Sequence, residues 1–463
     1  MPSRALRFEM PFALAEPMLV RPELGIERVV ARGAGHCVTR DTTLLDTADN
    51  RLLRAGIMLA HRVHDGLGEW YLDAPGWGPW LPTNRIEPLG ADGDLPEEFA
   101  LLVRPFRRSA TLGPVAAITL KRVEWRVLGT DDELLGLLRD DRLTIRRGGV
   151  TIGRHREVTV RPADAMTREQ RTHLSEALVY SGGTRVGAFP SLVERLGAPA
   201  TGLTDFGGPR EWNDDFTLEG FVSWLLSQRL TALLRADLEL RNRPEGEGKA
   251  LFDELRALQR ELRGVSFALD PGWLAAVEQD LGAVTSLPEG TRINALGDEY
   301  FRVLDAVVSA VRAPRLGDHS RHGAAQEFRH QLVAATTILF DRAESLNLAT
   351  PDERWAACLA SARQLQSMVH VAEPLLGRPA RRAGKTVDTM AELLSGAQTS
   401  IPSSLVEPSW SVEEAFEAGR ELERALQQRA AGRLDFIDHW PKLRRQLLRA
   451  KESSERRRKK GKK

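Results

Sequence analysis

The chain is 463 residues long, with 65 Lys and Arg against 64 Asp and Glu and a formal net charge of +1. Its 42% hydrophobic content excludes a wholly disordered protein, and its length exceeds what one core supports, so two or three domains are expected. Two distant cysteines, Cys37 and Cys358, exclude a disulfide framework and predict buried free thiols in a reducing compartment. No basic stretch followed by an apolar run opens the chain, and no run of about 18 uncharged apolar residues occurs in it. A cytoplasmic protein without a membrane span is the expectation. The charge is segregated: residues 449–463 hold nine Lys or Arg against Glu452 and Glu455, so a run of +7 leaves a body of about −6.

The first 200 residues read as β-rich. Strands are predicted over residues 101–106, 116–128, 143–147 and 150–160, the last two joined by Gly148-Gly149, a strong hairpin signal. Arg122, Glu124 and Arg126 alternate and therefore share one strand face. A helix is expected over 167–178 and a short helical turn over 192–196, before a Gly/Pro-rich linker over 197–209. Beyond Phe216 the hydrophobic period becomes helical. Phe221, Leu225, Leu226, Leu230 and Leu233 form one stripe, and Leu251, Leu255, Leu258 and Leu262 recur at three and four residues. Further helices are predicted over 273–281, 298–311, 324–345, 351–376, 380–394 and 413–430, with Pro351 at a helix start behind Thr350 as cap. The sequence thus predicts an α+β multidomain chain. It places an antiparallel β-domain at 1–200, a linker at 201–215, an all-α helical bundle at 216–448 and a disordered basic tail at 449–463.

Within the first domain, Asp46-Thr47 precedes a Leu-x-x-x-Gly-Ile-x-Leu run from Leu52 to Leu59. Trp70-Tyr71-Leu72 leads into Ala74-Pro75, and Arg156-Glu157-Val158 forms a late acidic strand. In this order the segments resemble the CYTH (triphosphate-tunnel) family over nearly all of residues 1–200. The resemblance implies a closed antiparallel β-tunnel or barrel. In it, Lys and Arg hold the triphosphate oxygens, and carboxylates hold divalent ions that polarise the reacting groups. The positions that carry this chemistry are depleted. Where the family places a Glu-x-Glu-x-Lys strand, this chain has Arg7, Glu9 and Pro11. The Leu-Arg-x-Arg strand reads Leu59-Ala60-His61-Arg62, and a basic position after Trp70 falls on Asp73. The late Glu-x-Glu-x-Glu strand retains Glu157 alone. Glu9 and Glu157 are the residual catalytic and metal candidates, against a structural role beside nearby arginines. Arg62, Arg104, Arg122, Arg126 and Arg146 are the candidate phosphate contacts, against a salt-bridged strand face in which Glu124 pairs with Arg122 and Arg126.

The helical region is similar, more weakly, to the CHAD domain. Residues 251–263 lie where that family carries a His-x-x-Arg-Val-x-x-Arg-Arg-x-Arg helix, with Phe252 in place of the histidine and Arg256, Arg260 and Arg263 kept. Residues 367–373 lie at a Lys-Arg-Leu-Arg-Tyr-x-x-Glu helix, with Gln366 and Val369 at commonly basic positions. The resemblance implies a polyphosphate-binding module, two helical bundles lining a basic cleft. Arg256, Arg260 and Arg263 share a helix face. Arg378, Arg381, Arg382 and Lys385 form a second basic cluster near a helix start, where the dipole disfavours cations. The competing reading for both is a solvated helix face beside acidic neighbours. His322, His330 and His370 show no metal-ligand spacing. The basic run from Arg456 to Lys463 suits any polyanion, and no groove-reading module for sequence-specific nucleic acid accompanies it.

Three functions stay open on the sequence. The first is a non-catalytic protein that binds inorganic polyphosphate or another polyanion. The second is a divalent-metal-dependent inorganic triphosphatase working through Glu9, Arg62 and Glu157. The third is a scaffold with both ancestral sites lost and a protein partner. No cofactor is expected outside the second, which needs Mg²⁺ or Mn²⁺.

Overall fold

The computed structural model describes residues 5–33, 36–89, 94–243, 248–288, 291–292, 296–317, 320–398 and 411–460, with side chains to residue 449. Two compact units emerge: Met1–Gly207 with Asp237–Gly246, and Gly208–Ala236 with Glu247–Lys463.

Alternation of apolar and polar residues builds the first unit. Its strands are β1 (Leu6–Met10), β2 (Arg28–Ala31), β3 (Cys37–Asp46), β4 (Met58–His64), β5 (Leu67–Asp73), β6 (Arg85–Pro88), β7 (Gly113–Leu128), β8 (Leu134–Arg147), β9 (Val150–Pro162) and β10 (Thr184–Val186). They form one antiparallel sheet in the order β10-β1-β9-β8-β7-β3-β4-β5-β6, with β2 paired to the far end of β7. Among the described residues no ladder joins β6 to β10. On one face Phe8, Leu138, Val158 and Val160 pack against Leu174 and Leu178 of α3 (Arg168–Tyr180). The opposite face carries a second apolar cluster, in which Leu44, Ala60, Tyr71, Ile118 and Ile145 meet Leu196 of α4 (Leu192–Leu196). Both helices start in capping boxes, Thr167 with Gln170 and Ser191 with Glu194, which satisfy their first backbone donors.

The Asp46-Thr47 signature earns its shape through buried hydrogen bonds. Asp46 accepts from the Leu52 and Leu53 amides at 2.9 Å each, and the Thr47 hydroxyl accepts from the Arg51 amide at 3.0 Å. These bonds wind the single-turn helix α1 (Arg51–Arg54) that turns β3 into β4.

Two expectations fail here. Residues 101–106 are helical, inside α2 (Glu97–Arg107), not a strand. Phe99, Leu102, Val103 and Phe106 recur at three and four residues and are all buried, and Glu97 and Glu98 favour the helix N-terminus. Cys37 is exposed at the start of β3, whereas Cys358 is buried and its thiol pKa is pushed up to about 12 by burial.

The second unit comprises α5 (Leu218–Asn242, grouped with the first unit from Asp237), α6 (Lys249–Val265), α7 (Pro271–Thr285), α8 (Asp298–Arg312), α9 (Ala324–Glu344), α10 (Asp352–Leu376), α11 (Arg378–Gly396) and α12 (Val412–Lys460). Leu251, Leu255, Leu258 and Leu262 line the buried side of α6 as their spacing requires. Gly264 lets α6 approach α10: a Cβ there would stand 2.6 Å from the Ser367 carbonyl. Trp355, Leu365, Met390, Phe436 and Leu443 centre the core shared by α10, α11 and α12. Pro351, not Thr350, occupies the cap of α10, and the Thr350 hydroxyl instead accepts from the Asn347 amide at 2.8 Å. Helix α12 runs past the expected end at residue 430 and through the segment expected to be disordered, to Lys460. Among the described residues no helix is long and apolar enough to cross a membrane.

Candidate functional site

Strand register decides which predicted site residues meet. Glu9 of β1 stands opposite Glu157 of β9, Glu157 opposite Asp141 of β8, and Asp141 opposite Arg122 of β7. Direct ladder partners share a face, so this row crosses the sheet opposite the Phe8 core. Two residues along lie Arg7, Arg139 and Glu124; towards the other end lie His155, Arg40 and Arg62.

The acids of this row are held by arginines. Arg195, on α4, places Nη2 2.6 Å from Glu157 and 3.5 Å from Glu9, and its side chain is only 4% exposed. Asp141 accepts from Arg122 Nε at 2.7 Å and lies 3.0 Å from Arg139 Nε. The Asp141 hydrogen bond holds the Arg122 pKa above its ordinary value. Burial pushes the Glu157 carboxyl pKa up, and Arg195 only partly offsets it. Burial and the Arg195 charge both push His155 down. Glu124 pairs with Arg32 at 2.9 Å and His36 at 3.3 Å, rather than with Arg122 and Arg126. Among the described residues no group of three His, Cys, Asp or Glu is arranged to hold a metal ion.

The candidate phosphate contacts scatter. Arg62 lies on the charged face with its guanidinium 3.1 Å from the Tyr71 ring centroid, and burial lowers its pKa. Arg126 shares that face and is exposed. Arg146 does not: it pairs with Ala117 and alternates with Ile145, so it sits on the opposite face from Arg122. Arg104 lies on α2 and is no part of the sheet. Sequence reasoning missed Arg195, Asp141, Arg139 and Arg40. The available signal is Asp140-Asp141 beside Arg139 and Arg142, on a strand that begins at Leu134, ahead of the expected 143–147.

The helical unit brings its predicted residues closer together. A cleft of about 520 Å³ opens between α5, α6 and α10, lined by Arg229, Arg260, Glu261, Gln366, His370 and Trp224 among others. Arg260 is exposed there, and no carboxylate partner for it occurs among the described residues. Arg229 is engaged by Glu254 and by Glu261, whose Oε2 accepts from Nε at 2.9 Å. Burial alone would lower the Arg229 pKa, but the two carboxylates outweigh it and raise it. Arg256 is paired with Asp253 at 3.2 Å, and the Arg263 carbonyl accepts from Gln364 at 2.9 Å. On the rim, Asp388 of α11 accepts from Gln366 and contacts His370, both at 2.8 Å, while Arg381 reaches Glu373 at 2.5 Å. Arg381, Lys385 and Asp388 follow at four and three residues, so Lys385 lies on the α11 stripe that borders the cleft. Arg378 and Arg382 are exposed on the same helix.

No family model matches the sequence, and no curated protein matches it. Among solved structures, a candidate adenylate cyclase from Bacillus halodurans is similar to this chain at 15% identity and a TM-score of 0.23, over 37% of this chain and 96% of its own. A candidate adenylyl cyclase from Hippeastrum, described as having a dominant triphosphatase activity, is similar at 11% identity and a TM-score of 0.22, over 42% of this chain and 93% of its own.

Proposed function

We propose that the chain is a CYTH–CHAD-type protein that binds a linear polyanion such as inorganic polyphosphate without hydrolysing it. The observation that carries the reading is the helical cleft, where Arg260 faces Gln366 and His370 with Lys385 on the rim. Charge-assisted bonds from such groups follow a phosphate chain without reading any other feature of it. The sheet unit supports the non-catalytic half of the reading. Arg195 stands between Glu9 and Glu157, and Asp141 is engaged by two arginines. A guanidinium in that position supplies the positive charge that a divalent ion would bring, so this donor set does not suit Mg²⁺ or Mn²⁺.

The test has two arms. Full-length protein is expected to bind long-chain polyphosphate, with affinity falling roughly tenfold or more in Arg260→Glu/Lys385→Glu. Hydrolysis of triphosphate with Mg²⁺ or Mn²⁺ is expected to be the same in the parent and in Glu9→Gln/Glu157→Gln. A rate gap between those two proteins would restore the triphosphatase reading, for which the direct cross-strand pairing of Glu9 with Glu157 is the favouring observation.

A further inference from the structure

The long helix α12 is packed along one part of its length and bare along another. Phe436, Leu443 and Leu447 lie in the core shared with α10 and α11, and Arg433 is buried beside Asp352. Every residue from Val412 to Arg424, by contrast, is exposed or half-buried, and the first buried one is Ala425. That bare segment is not polar all round. Val412, Ala415, Phe416, Gly419, Leu422 and Leu426 recur at three and four residues and so form one stripe. Val412 is 88% exposed and Phe416 65%. The Phe416 ring meets the Arg420 guanidinium of its own helix, 5.9 Å from the ring centroid. A Cβ added at Gly419 would stand in open space. An isolated helix of this length is marginal in water, so continuity with the packed part of α12 is what keeps the stripe in register.

We propose that residues 412–426 of α12 pair antiparallel with the same segment of a second copy of this chain, about a two-fold axis at Gly419. The stripe is its own mirror image about that position. Val412 lies seven residues before Gly419 and Leu426 seven after it, while Phe416 lies three before and Leu422 three after. An antiparallel pair therefore seats Val412 against Leu426 and Phe416 against Leu422, twice over, and the two glycines let the backbones approach at the centre. Charge selects the same orientation. Residues 412–418 hold Glu413, Glu414 and Glu417 and no base, and Arg420 and Arg424 follow. Parallel pairing in register would lay three acids beside three. Antiparallel pairing sets the two acidic clusters about 12 Å apart along the axis, beyond a Debye length of about 8 Å, and brings each alongside Arg420 and Arg424 of the other copy. It also opposes the two helix dipoles. Two helices of this length bury less than the roughly 1,200 Å² of stable complexes, so the dimer is expected to dissociate in the micromolar range. The pairing is independent of what the helical cleft binds.

Sedimentation velocity of the full-length protein over a micromolar concentration series tests the pairing. The parent is expected to move from monomer to dimer across the series. Phe416→Glu/Leu426→Glu is expected to raise the dissociation constant tenfold or more with an unaltered circular dichroism spectrum. Tyr180→Ser, which removes an aromatic ring that is 95% exposed on the sheet unit, is expected to change it less than twofold. Because Phe416 is exposed, Phe416→Ser alone, expected to cost several-fold, stands in if the double variant fails to fold. Orientation is read with a short thiol cross-linker in a Cys37→Ser background, since Cys37 is exposed and Cys358 buried. A mixture of Val412→Cys and Leu426→Cys proteins is expected to give covalent dimers, and Val412→Cys alone to give none. A parent that stays monomeric throughout would show that the stripe is covered by another part of the chain or by a different protein, and would overturn the proposal. So would a dimer that survives the Phe416 variants or is lost in Tyr180→Ser. Cross-linking of Val412→Cys to itself would overturn the antiparallel arrangement.

Discussion

Arg195 shows how much a single side chain decides in the sheet. Glu157 is 13% exposed and leans on a guanidinium that is itself buried. Removing one partner of a buried pair leaves the other charge uncompensated, at a cost of roughly 3–5 kcal/mol. Arg195→Met is therefore expected to lower unfolding free energy by about 3 kcal/mol. Adding Glu157→Gln should recover part of that loss, because the stranded carboxylate is then gone. Urea unfolding of the two single variants and the double variant measures the coupling. Strictly additive losses would mean that the bridge contributes nothing. The helix that carries Arg195 is legible in the sequence, down to its bounds at 192 and 196. Its partners are not, because they lie 38 and 186 residues away and depend on the β1–β9 register. The same holds for Arg146 and Arg122. Each sits on a strand, but only the β7–β8 pairing shows that they face opposite ways.

At the scale of elements, periodicity succeeds wherever it runs long and uninterrupted. The bounds of α8 and α9 fall within one residue of the expected 298–311 and 324–345, and the leucines of α6 at three and four residues lie on its buried side, as an amphipathic helix requires. It fails at α2, where Leu101-Leu102-Val103 looks like a buried strand until Phe99 and Phe106 are counted with it. It stops short at β8, whose first half mixes Leu with Arg and Asp because both of its faces carry buried groups. Ion pairs between elements are equally unreadable. The start of α10 is tied to α12 through Asp352, which accepts from Arg429 at 2.6 Å and also from Arg433. The Arg433 hydrogen bond, helped by Arg429, holds the Asp352 carboxyl below its ordinary value of 3.8. A depressed carboxylate pKa contributes stability that is present above the ordinary value and lost as pH falls through the folded one. The difference in thermal midpoint between the parent and Asp352→Asn is thus expected to be constant near neutrality and to shrink below about pH 4. Its size should be modest and salt-sensitive, since Asp352 is 57% exposed. A difference that does not change with pH would show that the tether works without its charge.

For the whole molecule, the decisive feature is the separation of a +7 run from a body of about −6. A net-acidic body repels a distant polyanion, so in the polyanion reading proposed above recognition in the helical cleft would depend on local geometry at Arg260 and Lys385 rather than on the overall field. The basic run acts in the opposite sense. In that reading it would gather polyanions without geometry, through counterion release, with a contribution that falls steeply with salt. The two contributions separate by experiment. Deleting residues 449–463 is expected to weaken polyphosphate binding most at low salt and to make the dependence of log K on log salt shallower by several units, by analogy with other polyanions. The shortened protein should still bind at about 50 mM salt, and Arg260→Glu/Lys385→Glu should then abolish what remains. Electrophoretic mobility or fluorescence anisotropy across a salt series reads both effects. If the deletion alone eliminates binding at every salt concentration, the run holds the ligand and the cleft does not. If the deletion leaves the slope unchanged, the run takes no part, and all the released counterions belong to contacts in the folded body.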